Sequence, residues 1–225
     1  MAVNDEKKFL IGNLFRIPQL ITFFKKEESH PGFLNTRVCY EKPVPIGDKG
    51  MHCTEHIQPG NEYSLQELLR RMIIYSDEQA AALLEPYMDA ELFQKVFQDL
   101  DLPAPVKDHR DFLISARDCS VFLKVLYNAS YLNTAHAEQC TELLAQRTAR
   151  LGITSALPNH CRVAHYLGIT QDGKQMQLSE SALIFISGKA YLLTIMAQGN
   201  ESDQLATLFS SISRNVYQDL TGILM

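Results

Sequence analysis

The chain has 225 residues, 46% of them hydrophobic and 21% charged, which is enough apolar material for a sizeable core in one large domain or two small ones. Its formal net charge is -5 and its basic residues are scattered, as at Lys25-Lys26 and Arg70-Arg71, which excludes a basic field for nucleic acid or for an anionic membrane. No apolar run approaches the ~20 residues needed to span a bilayer. The polar start from Met1 to Lys8 is not a signal peptide, and five irregularly spaced cysteines make no disulfide framework, so a reducing, cytoplasmic setting is expected unless the chain is part of a longer, exported protein.

Leu14, Ile17, Leu20, Ile21 and Phe24 recur at a helical period and predict a helix over 14–26 with one buried face. Residues 29–62 are rich in proline and glycine and read as an irregular connection with short strands around Val38–Tyr40 and Met51–His56. Ser64-Leu-Gln-Glu67 is a capping box, with Leu65, Leu68, Leu69, Met72 and Ile73 as the stripe behind it. Ser76, with Gln79 three residues on, reads as the cap of a further helix running to about Tyr87. Helices follow over roughly 90–100, from the Ser115 cap through Leu126, and over 134–147, with a two-proline loop at 102–112. The period then changes. Cys161–Ile169, Met176–Ile186 and Ala190–Ala197 read as strands, the last two joined as a hairpin through Ser187-Gly188-Lys189, and an amphipathic helix with Leu205, Leu208, Phe209, Ile212, Val216 and Leu220 closes the chain. This order predicts an α+β fold: a single domain over 1–225, with a helical lobe at about 64–147 and an antiparallel sheet plus closing helix at about 160–222.

Residues 12–18 read Gly-Asn-Leu-Phe-Arg-Ile-Pro and resemble the start of the core helix in class A β-lactamases and penicillin-recognising serine hydrolases, where the segment reads Ser-x-x-Lys. Further blocks carry the same resemblance: Glu67–Asp77, Ser115–Leu132, Gly152–Gly168 and Tyr191–Gly199. The resemblance assigns Asn13 to the position of the serine nucleophile and Arg16 to that of the lysine base. A carboxamide is no nucleophile, and a guanidinium stays protonated. In the family's Ser-Asp-Asn motif Ser76 and Asp77 remain, but Glu78 replaces the asparagine; in its Lys-Thr-Gly motif Tyr166 and Leu167 replace the first two residues and Gly168 remains. The 102–112 loop holds no glutamate for a deacylating water, only Asp108 and Asp111. No Ser-x-x-Lys, Lys-Thr-Gly, Lys-Ser-Gly or Gly-x-Ser-x-Gly occurs elsewhere. The resemblance thus implies a β-lactamase-like pseudoenzyme without cofactor, in which Arg16 pairs with Glu78 across the old cleft.

Cys39, His52, Cys53 and His56 are zinc-type residues at a spacing that fits no standard site, so no metal is expected. Cys119 and Cys140 read as core, and nothing places His109, His136, His160 or His165 beside a cysteine for a Cys-His hydrolase. Phe23-Phe24 and Ile223-Leu224-Met225 are candidate docking residues, with Phe24 favoured as core. In the resembling family two strands precede the serine motif and flank the last strand, whereas only Met1–Phe9 stand here. The strand with Tyr191, Leu193, Ile195 and Ala197 is therefore expected to have an open edge, available to a protein partner or to a second copy. The expected function is a protein–protein interaction module or structural subunit of a bacterial assembly, such as a secretion or envelope machine. The alternatives are a ligand-binding module using the old cleft, with Arg16 as anion contact, and a residual serine-type hydrolase.

Overall fold

The computed structural model describes residues 2–44, 56–105, 112–147, 150–172 and 175–222. Strand β1 (Lys8–Leu10) runs through a 3-10 turn at Gly12–Phe15 into helix α1 (Arg16–Ser29). Pro18 lies in the first turn of α1, where a missing N–H costs nothing, and Ile17, Leu20, Ile21, Phe23 and Phe24 are buried. Phe23 is therefore core like Phe24, not a docking residue. A hairpin of β2 (Arg37–Tyr40) and β3 (Asn61–Ser64) follows, and β3 passes directly into α2 (Leu65–Ile74). Ser64 Oγ accepts from Glu67 N at 3.1 Å, as a capping box requires, but the Glu67 carboxylate turns to Arg71 Nε at 2.8 Å.

Helices α3 (Glu78–Leu84), α4 (Ala90–Asp99), α5 (Ala116–Tyr127) and α6 (Thr134–Ala145) complete the helical lobe around α1. Each starts at a side-chain cap: Asp77, Asp89, Ser115 and Asn133. The cap of α3 corrects the assignment to Ser76. Asp77 Oδ1 accepts from Gln79 N and Ala80 N, because a carboxylate at that position serves two orphan N–H groups at once. Strand β4 (Leu113–Ser115) pairs antiparallel with β1, a pairing that the short apolar stretches did not announce. Of the strand expected at Met51–His56, residues 51–55 lie outside the described residues, and His56 is not in a strand; β2 pairs with β3 instead. Asp108, His109, Asp111 and Ile223-Leu224-Met225 also lie outside the described residues.

A 3-10 turn at Gly152–Ala156 leads to the sheet, β5 (Arg162–Asp172), β6 (Gln175–Ile186) and β7 (Lys189–Gly199), antiparallel and in that spatial order. Lys189 pairs with Ile186, so the β6–β7 turn is only Ser187-Gly188, with Gly188 at φ 76 supplying the left-handed residue of a tight hairpin. Helix α7 (Ser202–Thr221) ends at Gly222, φ 69. Side chains alternate across the sheet. On β5, Ala164 and Tyr166 enter the core shared with the helical lobe, while Leu167 joins Ile153, Leu178, Ala182, Ile184, Leu205 and Phe209 in a second core under α7. The architecture is the expected α+β one: a sheet with the helical lobe on one face and α7 on the other. No helix among the described residues is long and apolar enough to cross a membrane.

Candidate functional site

The turn carrying Asn13 is pressed against β5. A Cβ on Gly168 would lie 3.1 Å from Asn13 N, and one on Gly12 only 2.7 Å from Thr170 Cγ2, so the two glycines let the backbones meet. The approach is fixed from the other side by Gln177, whose side chain mimics a strand residue: Leu10 N donates to its Oε1 at 3.1 Å, and its Nε2 donates back to Leu10 O. Asn13 thus stands beside Gly168, where the resemblance places the family's cleft, between α1, the start of α3, and β5.

One helical turn beyond Asn13, Arg16 points across this cleft. Its Nη2 meets Glu78 Oε2 at 2.7 Å and its Nη1 donates to Gln19 Oε1 at 2.9 Å, with the two charged side chains only 14% and 25% exposed. The expected Arg16–Glu78 pair is present. Asp77 is fully buried, and besides capping α3 it accepts from Ile57 N at 2.8 Å. Gln79 accepts from Val44 N and Tyr40 Oη and donates to Val44 O, so the first turn of α3 pins the chain on both sides of residues 45–55. Burial, then the Asp77 charge and Tyr63, hold the Tyr40 phenol above its usual value.

Ser76 has φ 54, uncommon for a residue with a side chain, and its hydroxyl accepts from both terminal nitrogens of Arg147, at 3.2 and 3.3 Å. Arg147 also donates to Ile73 O, and its guanidinium carbon lies 4.1 Å over the ring of Tyr166. Its Nε is buried without a partner, and among the described residues no carboxylate pairs with it. Arg147 was not singled out from the sequence. It meets Ser76 and Tyr166 only because the fold brings the end of α6 against β5, and neither spacing nor periodicity reports that.

The geometry therefore brings together Asn13 with Gly168, Arg16 with Glu78, and Ser76 with Tyr166 through Arg147. Leu167 does not share the cleft; it is buried on the α7 face of the sheet. Tyr191, Leu193, Ile195 and Ala197 also pack their side chains against the core under α7. Among the described residues no strand lies beyond β7.

Chemically, this cleft holds two guanidinium groups, a carboxylate already paired, a carboxamide and a hydroxyl that faces a cation. A guanidinium stays protonated, so neither arginine can take a proton from Ser76. Elsewhere, burial pushes the Cys119 thiol up to about 12 and the Cys140 thiol well above its usual value, which leaves both inert. His165 Nδ1 is 2.9 Å from the fully buried Glu180, whose other oxygen accepts from Ile153 N at 2.6 Å. No hydrogen bond joins a cysteine to a histidine, and no cluster of three or more metal-type side chains occurs, among the described residues. Of the zinc-type residues, His52 and Cys53 lie outside the described set.

A helical lobe closing on one face of an antiparallel sheet, with the cleft at the start of its central helix, is the architecture of the penicillin-recognising serine hydrolases. A model of the β-lactamase enzyme family matches residues 1–220, and the chain belongs to that family. Among solved structures, a β-lactamase from Sphaerobacter thermophilus superposes with a TM-score of 0.82 at 16% identity, covering 100% of this chain and 88% of that one. A mutant of PBP-A, in acyl-enzyme complex with penicillin G, gives 0.81 at 17% identity over 99% and 86% of the two chains. A β-lactamase from Francisella tularensis gives 0.78 at 14% identity over 99% and 89%. At these identities the likeness is one of fold. No curated protein matches the chain.

Proposed function

We propose that this chain is a catalytically inactive member of its family that serves as a protein–protein interaction module or structural subunit of a larger assembly. The observation that carries the reading is the Arg16–Glu78 pair at 2.7 Å, which closes over the ground that acyl transfer requires. Covalent catalysis needs a nucleophile within hydrogen-bond reach of a base. Asn13 supplies no nucleophile, and Arg16 is a permanent cation already satisfied by Glu78 and Gln19. The stacked Arg147–Tyr166 pair supports the same reading, because it fills the wall beside Ser76 with protein groups. A fluorescent penicillin tests it. The expected outcome is no covalent label under conditions that label a catalytic β-lactamase; stoichiometric labelling overturns the reading.

One observation favours a second reading, a ligand-binding cleft. Arg147 is a half-buried cation with no carboxylate partner among the described residues, and it replaces Arg16 as the anion contact. A small carboxylate that raised the melting temperature of the native chain, but not of Arg147→Gln, would favour this reading over an interaction module.

A further inference from the structure

We propose that Cys161 is a modification site, at which a hydroperoxide oxidises the thiol to a sulfenic acid that the hydroxyls of Tyr191 and Tyr217 hold. The site lies under α7, on the face of the sheet opposite the helical lobe, so the inference goes beyond the interaction-module reading and does not depend on it. The four described cysteines differ in their surroundings. Cys119 and Cys140 are sealed in the helical lobe, and Cys39 stands exposed on β2. Cys161, one residue before β5, is half-buried, and its S–H donates to Tyr217 Oη at 3.7 Å. Two residues on, Val163 faces Ile184 and Ile184 faces Tyr191, so Tyr191 occupies the next cross-strand row on the same face of the sheet. All of these side chains border the core under α7. On α7, Phe209, Ser213 and Tyr217 follow one another at four-residue spacing and are buried against that core.

A second observation is independent of the cysteine. Tyr191 Oη and Ser213 Oγ are both closed off from solvent and have no hydrogen-bond partner among the described residues. Ser213 is fully buried. Two such hydroxyls in one apolar core cost free energy that Phe and Ala would avoid. Burial, then the neighbouring Cys161 and Tyr217, push the Tyr191 phenol up to about 12. Its hydrogen bond with Cys161, then burial, hold the Tyr217 phenol above its usual value. Both phenols are therefore O–H donors at neutral pH. A thiol is a weak acceptor and gives them little to bind. A sulfenic acid adds one oxygen with free lone pairs, which is the acceptor that the reduced site lacks.

The step balances with the hydroperoxide as the only co-reactant. The thiol proton passes to solvent, and the sulfur attacks the outer peroxide oxygen. The O–O bond breaks as the S–O bond forms, and the leaving hydroxide or alkoxide takes up a proton. Sulfur gives up two electrons and the peroxide accepts them, so the products are the sulfenic acid and water or an alcohol. Tyr217 and Tyr191 donate to the charge on sulfur before the attack and to the new oxygen after it, and hydrogen bonds to a charged acceptor are the strong ones. They are positioning residues; the sulfur alone changes its bonds. Hydrogen peroxide is small enough to reach a half-buried sulfur, whereas burial has made the Cys119 and Cys140 thiols inert.

Trapping the sulfenic acid with dimedone, with the adducts read by peptide mass spectrometry, tests the proposal on the full chain. With equimolar hydrogen peroxide, Cys161 should carry roughly fivefold more adduct than Cys39, although Cys39 is the more exposed. Tyr217→Phe and Tyr191→Phe keep the rings and remove the donors. Each should lower the Cys161 adduct by about threefold or more and leave the Cys39 adduct unchanged. Tyr191→Phe also deletes a donor that has no partner, so its melting temperature before oxidation should not fall, which separates loss of the donor from loss of the fold. Adduct on Cys39 equal to or above that on Cys161 overturns the proposal, because exposure alone then governs oxidation. A Cys161 adduct that either folded variant leaves at the native level also overturns it. In denaturing urea the two cysteines should label alike; a preference for Cys161 that survives unfolding belongs to the local sequence and overturns the site.

Discussion

Arg16 and Glu78 stand 62 positions apart in the chain and meet at 2.7 Å with little water around either. Truncating one partner leaves the other short of a counter-charge, and the less exposed guanidinium is the costlier orphan. We expect Glu78→Ala to lose roughly 1–3 kcal/mol and Arg16→Ala less, with the double substitution costing clearly less than their sum. Urea denaturation of the four proteins measures this, and strictly additive losses would mean that the pair is not formed in solution. Beside it, Ser76-Asp77 shows why a cap is hard to place by one residue. Serine and aspartate are equally good caps, and the choice falls to Asp77 because its carboxylate also reaches Ile57 N, a contact 20 residues back that no local pattern encodes.

At the scale of elements, α1 and α4 are joined at Asp89. Its Oδ1 accepts from Leu92 N at 3.0 Å as the cap of α4, and its Oδ2 meets Lys26 Nζ of α1 at 2.7 Å. The Lys26 hydrogen bond, then the Leu92 N–H, hold the Asp89 carboxyl below its ordinary value. A carboxyl depressed on folding contributes stability that is fully present above its unfolded value, near pH 4, and is lost as pH falls through the lower folded value. Asp89→Ala should therefore cost about 1–2 kcal/mol at pH 7, mostly the cap. The part due to the charge should shrink below about pH 4, as thermal melts of the two proteins across pH 2.5–7 on the order of half-unit steps would record. Much of this level was legible beforehand. The stripe Leu65-Leu68-Leu69-Met72, the Ser115 cap and the three C-terminal strands all follow from period and capping chemistry. The β1–β4 and β2–β3 pairings were not, because strands of three and four residues carry too few alternations to display a period and their partners lie far along the chain. In the cleft, the Arg16–Glu78 pair was legible from the family resemblance and charge complementarity. Arg147 was not, since its contacts with Ser76 and Tyr166 depend on how α6 and β5 pack.

At the scale of the whole molecule, the sheet is shared by two cores, so neither can be loosened alone. Phe209 is fully buried where α7 closes on the sheet, remote from the helical lobe. Phe209→Ala should lower the stability of the molecule by about 3–5 kcal/mol. Far-ultraviolet circular dichroism, dominated by the helical lobe, should shift together with tyrosine fluorescence; two separated transitions would show the cores to be independent.

Glu180 lies in the middle strand of that sheet, held by His165 Nδ1 and Ile153 N and shut away from water. A slip of β5 past β6 by two residues would leave every apolar side chain on the face it occupies now, so hydrophobicity does not distinguish the two alignments. A slip that set His165 opposite Ile184, where Ala182 now stands, would carry it away from Glu180 and leave that buried carboxylate with Ile153 N alone, at a cost of several kcal/mol if it is charged. The buried pair thus disfavours an alignment that the apolar pattern leaves equivalent. Gly152, where any Cβ would fall 2.3 Å from Glu180 Oε2, is what leaves room for the pair.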